Sequence, residues 1–197
     1  MFSSKQRTEK RGLEVKTGIK ILTVTFFLVL LDQIVKIIIA ANLKGRDPLV
    51  LIPNVFEFYY YENPFAAFNF GKQFSSVFLT LVLILTVCFC AFLIIVSFHI
   101  SNAKKYWFIR LVVILFLAGA IGNFIDRVIH HYVIDFFYFV LINFPIFNIA
   151  DIYVVSGAIV FVVTALFRGS VYDELLSSRK KKSEASIEEE KHNDGSC

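Results

Sequence analysis

Two aspartates, Asp135 and Asp151, interrupt an otherwise greasy stretch, in Tyr132-Val-Ile-Asp-Phe-Phe and Phe147-Asn-Ile-Ala-Asp. A carboxylate at the margin of an apolar segment is costly, and it persists where it does chemistry or moves ions. If the run carrying Asp135 folds back over the top of the segment carrying Asp151, the two side chains meet. Carboxyls about 3 Å apart do not both ionise readily, so one keeps its proton. The ionised partner then takes a proton from water while the protonated one polarises a peptide carbonyl, without a metal or a covalent intermediate. The residues alone leave this acid–base pairing open beside an ion or proton pathway. A capping role at a helix start, where Asp151 would meet the positive end of the macrodipole, and pairing with Arg127 also stay open.

Other polar groups gather nearby. Asp32, Gln33 and Lys36 form one cluster, and Asp32 and Lys36, four apart, share a helix face. Their spacing fits a structural ion pair as well as a site role. Asn63 opens Asn-Pro-Phe-Ala-Ala-Phe, where its amide could meet a peptide backbone and Ala66 and Ala67 leave room. Gly119-Ala-Ile-Gly-Asn-Phe-Ile-Asp-Arg127 combines two small residues that permit close helix approach with Asn123 and Asp126, three apart on one face. Asn148 precedes Asp151 by three residues. Cys88, Cys90 and Cys197 offer no disulfide framework, and four scattered His give no ligand spacing, so no metal or cofactor is expected.

The elements that must hold these groups are membrane helices. Of the 197 residues 57% are hydrophobic and only 18% charged, with 23 Phe, which excludes an ordinary soluble domain. Mean hydropathy is +0.68. Four segments are long enough to span a bilayer: about Thr17–Ala41, Phe74–Phe98, Tyr106–Ile129 and Ile146–Phe167. Backbone groups in lipid must be satisfied internally, so these are helices. The first is expected to be retained, because Asp32 and Lys36 occupy what would be the processing region of a leader.

Basic residues cluster before the first segment, between the second and third, and after the fourth, which puts both termini in the cytoplasm and Asp135 and Asp151 on the outer side. The connection over 42–73 contains Leu49-Val-Leu-Ile-Pro-Asn-Val-Phe-Glu-Phe-Tyr-Tyr-Tyr, read as two short strands around a Pro53-Asn54 turn. Strict alternation puts Phe56 and Phe58 on one face, Tyr59 and Tyr61 on the other. The run in the connection over 130–145 is also strand-like. The expected fold is therefore all-α and polytopic, four transmembrane helices with a small extracytoplasmic β-cradle over residues 1–168. Residues 169–197 read as a disordered, charged cytoplasmic tail.

Taken in order, Asp32-Gln-Ile-Val-Lys36, Asn63-Pro-Phe-Ala-Ala-Phe68, Gly119 to Arg127, Tyr132-Val-Ile-Asp-Phe136 and Phe147-Asn-Ile-Ala-Asp151 resemble the motifs of the lipoprotein signal peptidase (signal peptidase II) family. The resemblance covers about residues 17 to 168. It implies a bacterial inner-membrane aspartic endopeptidase that cuts the signal peptide from prolipoproteins, just before a Cys carrying diacylglycerol. It implies Asp135 and Asp151 as the catalytic pair, with Asn123, Asp126, Arg127 and Asn148 around them. Asp32, Lys36, Asn63 and Gly119 match further motif positions, and Asn63 and Arg127 are the better candidates for substrate contact. It also implies a short surface helix near 66–74. One position departs: the family's usual Asn-x-Gly-Ala-Ala-Phe has Phe65 in place of Gly. The implied partners are diacylglyceryl-prolipoproteins and membrane lipid. No nucleic acid is implied, and a monomer is expected.

Overall fold

The chain is described by a computed structural model over residues 4–64, 75–100, 103–167 and 177. Phe65, the surface helix expected over 66–74 and the tail, apart from residue 177, lie outside the described residues. Among the described residues, four helices are long and apolar enough to cross a membrane, in the stretches Arg11–Leu43, Leu79–Ser97, Trp107–His130 and Ile149–Phe167. The corresponding elements are α1 (Ser4–Leu43), α2 (Ser75–Ser97), α3 (Trp107–His130) and α4 (Ile149–Phe167).

Helix α1 starts much earlier than Thr17, running 40 residues. At 1.5 Å per residue that is about 60 Å, twice the thickness of a hydrocarbon core. The basic lead is mostly Lys, Arg, Glu and Gln, good helix formers that outweigh Thr8 and Gly12, so the helix continues through residues that hydropathy alone leaves outside. Helix α3 is the most buried of the four and packs against both α1 and α2. One core joins α1, α2 and α3 through Ile21, Leu93, Phe108, Val113 and Leu117. The outward faces are apolar as well, with Leu85, Ile159 and Leu166 exposed, as a lipid solvent requires.

The strands are β1 (Leu49–Ile52), β2 (Phe56–Asn63) and β3 (Val133–Tyr138), antiparallel in the order β1-β2-β3. The expected turn between β1 and β2 is present, with Asn54 at φ 60°, a left-handed conformation that Asn tolerates better than most residues. Strict alternation fails in β2. Its register with β3 shifts by one residue between Phe58 and Tyr61: Phe58 faces Phe137, whereas Tyr61 faces Asp135. The extra residue moves Tyr61 and Asn63 onto the face of Phe58, away from Tyr59, whose ring lies 6.4 Å from that of Tyr138. A period-2 reading of the sequence has no means of placing such a bulge.

Aromatic packing fixes the sheet to the start of α4. Phe56 meets Phe139 at 4.7 Å between ring centroids, and Phe137 meets Phe147 at 5.4 Å. Such pairs contribute about 0.5–1.5 kcal/mol each beyond burial. Phe147 also pairs with β3 through its backbone, donating to Phe137 O at 3.1 Å and accepting from Phe137 N at 2.8 Å. That extended pairing is why α4 begins at Ile149 and not at Ile146.

Candidate active site

The site forms where β3 and the N-terminus of α4 meet α1 and α3. Helix α3 ends at His130, and His131 at φ 65° donates its N–H to Arg127 O at 3.1 Å, turning the chain into β3. Two residues into that strand, Asp135 is 2% exposed. The bulge in β2 places Asn63 on the same face, and Asn63 Nδ2 donates to Asp135 Oδ2 at 2.8 Å.

Asn148 is the N-cap of α4. Its Oδ1 accepts the Asp151 N–H at 3.0 Å while Asp151 Oδ2 accepts the Asn148 N–H at 3.1 Å, a reciprocal capping box. The same Asn148 donates Nδ2 to Asp135 Oδ1 at 2.6 Å and to Asn123 Oδ1 at 3.0 Å. Asn123 in turn donates Nδ2 to Asp151 Oδ1 at 2.8 Å. The helix-start role of Asp151 and its proximity to Asp135 thus coincide in one arrangement, in which Asn148 touches both aspartates.

Behind these residues lies a buried ionic cluster. Lys36 Nζ is 2.9 Å from Asp32 Oδ2, 2.9 Å from Asp126 Oδ2 and 3.2 Å from Asn123 Oδ1, so each ammonium proton has an acceptor. Asp32 Oδ1 accepts the Ala150 N–H at 3.0 Å, and Asp126 Oδ2 accepts the Ile134 N–H at 3.1 Å. Removing one partner from such a buried cluster leaves an uncompensated charge, which costs about 3–5 kcal/mol. Gln33, which sequence reasoning grouped with Asp32 and Lys36 without giving it a site role, belongs to the cluster. Its Nε2 lies 3.0 Å from Asp126 Oδ1, 3.1 Å from Gly122 O and 3.2 Å from Asp32 Oδ2. The signal was an amide beside a carboxylate within a membrane helix.

A cavity of about 600 Å³ opens in front of the carboxylates. Asp135, Asp151, Asn63, Asn123 and Arg127 line it, together with Phe144 to Phe147 and the α4 residues Ile152, Val154, Val155 and Ser156. Sequence reasoning did not single out Ile152, Val154 and Val155, because apolar side chains on a membrane helix look alike whether they face lipid or a cavity, and a lone Ser156 among them gave no further signal. Arg127 donates Nη1 to Asn123 O at 3.3 Å. Of the ten residues singled out from sequence, Asp32, Lys36, Asp126 and Asn148 stand behind the cavity rather than on its wall. Gly119 is a helix contact: a Cβ there would come 2.5 Å from Ala150 O, and one at Gly122 would come 2.7 Å from Asp32 Oδ2. Both glycines let α3 approach α4 and α1 closely enough for the carboxylates to converge.

Burial pushes the Asp135 carboxyl up from 3.8 to about 7, and the neighbouring Asp151 charge pushes in the same direction; hydrogen bonds from Asn63 and Asn148 oppose both. At neutral pH Asp135 is therefore poised between its acid and its carboxylate. A carboxyl near 7 beside a second carboxylate, facing a cavity, is what general acid–base chemistry needs.

Comparison with known proteins shows the family of the chain. The family description of signal peptidase II matches residues 24–167. The lipoprotein signal peptidase of Clostridioides difficile (strain 630) is 35% identical over 144 residues, 73% of this chain and 93% of that protein. That of Lactococcus lactis subsp. lactis (strain IL1403) is 38% identical over 138 residues, covering 68% and 85%. A bacterial membrane enzyme solved by the in meso method at 2.3 Å resolution superposes with a TM-score of 0.65 at 34% identity, over 77% of this chain and 90% of that one. With four membrane-length helices, a three-stranded sheet and this breadth of similarity, the chain belongs to the signal peptidase II family, a family of aspartic peptidases, and is a multi-pass bacterial membrane enzyme.

Proposed function

We propose that the protein removes signal peptides from prolipoproteins by an Asp135–Asp151 dyad, cutting before a Cys that carries diacylglycerol. The observation that carries this reading is the meeting of the two carboxylates on one cavity wall, tied together through Asn148. The ionised carboxylate takes a proton from water as its oxygen attacks the scissile carbonyl carbon, while the protonated carboxyl gives its proton to the carbonyl oxygen. As the tetrahedral intermediate collapses and its C–N bond breaks, the proton taken from water passes to the leaving amine and one gem-diol hydroxyl returns its proton to the carboxylate that supplied it, leaving a carboxylic acid and a dyad that again holds one proton. Asn63 and Arg127 on the cavity wall hold the substrate backbone, Arg127 also offering charge to the developing oxyanion.

The substrate class follows from the names of the relatives and from the character of the cavity. Phe144, Ile152 and Val155 on its wall are exposed apolar side chains. Acyl chains held in the bilayer, anchored by about 0.8 kcal/mol per CH₂, reach the dyad laterally while the peptide bond stays near the headgroups. In this reading the sheet side is extracytoplasmic and both termini are cytoplasmic, an orientation that the distribution of basic residues supports. An ion relay is less well supported, because the core joining α1, α2 and α3 away from the dyad is apolar.

The test is cleavage of a synthetic diacylglyceryl-Cys peptide by purified protein in metal-chelated buffer, with Asp135→Asn and Asp151→Asn beside it. The native chain cuts before the lipidated Cys and the variants do not. Equal cleavage by both variants would sink the dyad.

A further inference from the structure

Each dyad aspartate is preceded by a residue whose backbone N–H is held by a buried carboxylate. Ile134, before Asp135, donates to Asp126 Oδ2 at 3.1 Å, and Ala150, before Asp151, donates to Asp32 Oδ1 at 3.0 Å. The two holding carboxylates are joined through one ammonium, Lys36 Nζ, which lies 2.9 Å from each. Asp32, Lys36 and Asp126 are all 1% exposed or less, so this ionic bridge is shielded from solvent.

We propose that Asp32, Lys36 and Asp126 act as a caliper: positioning residues that set the separation of Asp135 and Asp151 by gripping the peptide unit before each. This rests on the dyad reading above. The geometry distinguishes it from simple fold stabilisation. A pair that only tied α1 to α3 would have no reason to reach into β3 and into the N-terminus of α4, one residue ahead of a dyad aspartate in both places. Gln33 braces the jaws, reaching Asp32 Oδ2 at 3.2 Å and Asp126 Oδ1 at 3.0 Å. Lys36 also holds Asn123 Oδ1 at 3.2 Å, and Asn123 donates to Asp151, so the ammonium fixes the α4 side of the gap twice.

The experiment compares Asp126→Ala, Asp126→Asn, Asp32→Ala and Asp32→Asn in the full chain, with a diacylglyceryl-Cys peptide as probe. Rates are normalised to folded protein, and kcat, KM and the pH profile of kcat/KM are measured. The charged and polar groups around the dyad include Asp32 and Lys36 from α1, Asn63 from β2, Asn123, Asp126 and Arg127 from α3, and Asn148 before α4. A displacement of about 1 Å lowers rate on the order of a hundredfold, so the alanine variants lose kcat to that extent with KM little changed. The Asn variants keep an acceptor for the backbone N–H and recover part of kcat. As the carboxylates move apart they repel less, and the acidic and basic limbs of the profile draw together. Loss of a carboxylate charge alone leaves Lys36 less compensated and moves both limbs the same way, keeping their spacing. Full kcat in the alanine variants, or limbs that keep their spacing, overturns the caliper. Should the alanine variants not fold, the Asn variants decide alone: their kcat falls and the limbs close, or the proposal fails. If Asp135→Asn and Asp151→Asn remain active, it is the dyad itself that has failed; if they are dead while the Asp32 and Asp126 variants are normal, only the caliper has.

Discussion

Asn148 Nδ2 lies 2.6 Å from Asp135 Oδ1, so the residue that starts α4 also holds the strand aspartate. Two jobs rest on one side chain. Its Oδ1 caps the helix by accepting the Asp151 N–H, and its Nδ2 fixes Asp135. The jobs separate chemically. Asn148→Ser keeps a good N-cap and loses the reach to Asp135 and Asn123, so it unfolds at a higher temperature than Asn148→Ala while peptide cleavage falls on the order of a hundredfold. Asn148→Ala loses both, and costs about 1–2 kcal/mol of stability besides. Unfolding measured in one detergent, beside cleavage rates, separates the two.

Replacing either aspartate of the proposed dyad by Asn is predicted to lower cleavage by about 10³-fold, within the usual range for removing positioned acid–base catalysis. The measurement is kcat/KM on the lipidated peptide, with prolipoprotein mobility on gels as its counterpart in cells. Retained activity in either variant would contradict a shared role.

Asp135 makes stability depend on pH. Its carboxyl is 3.8 in the unfolded reference and is pushed to about 7 by burial and then by the Asp151 charge. The folded protein therefore binds this proton more tightly, and the stability it lends is fully present below 3.8 and lost as pH rises through about 7. Thermal unfolding scanned across that window should show a midpoint declining with pH, and Asp135→Asn should flatten the decline. A native decline that the variant leaves intact would assign it to another group.

The glycines of α3 offer a packing test. Gly119→Ala sets a Cβ 2.5 Å from Ala150 O, and the backbone must shift to admit it. Overpacking of this kind costs about 1–3 kcal/mol, and here it also displaces the N-terminus of α4, so cleavage falls with stability. Gly12→Ala is the control: nothing lies within 4 Å of that Cβ, and the helix gains up to about 1 kcal/mol. Equal unfolding of Gly119→Ala and native protein would refute the contact.

Much of this architecture was legible from one sequence. Four apolar segments implied four spanning helices because lipid leaves a backbone few alternatives, and Asp32 with Lys36 read as a pair because helical spacing is local. Ordered motifs carried the family. What one-dimensional periodicity does not encode is register and reach. The bulge that brings Asn63 onto the face of Asp135 breaks the period of two, and the early start of α1 lies in residues too charged for hydropathy to count. The grip of Asp126 on Ile134 and of Asp32 on Ala150 joins residues up to 118 positions apart. Sequence supplied the charges, each locally plausible as a cap or an ion pair. Only the folded chain decided which backbone N–H each carboxylate would satisfy, because a buried charge takes its partners from the neighbours that packing delivers.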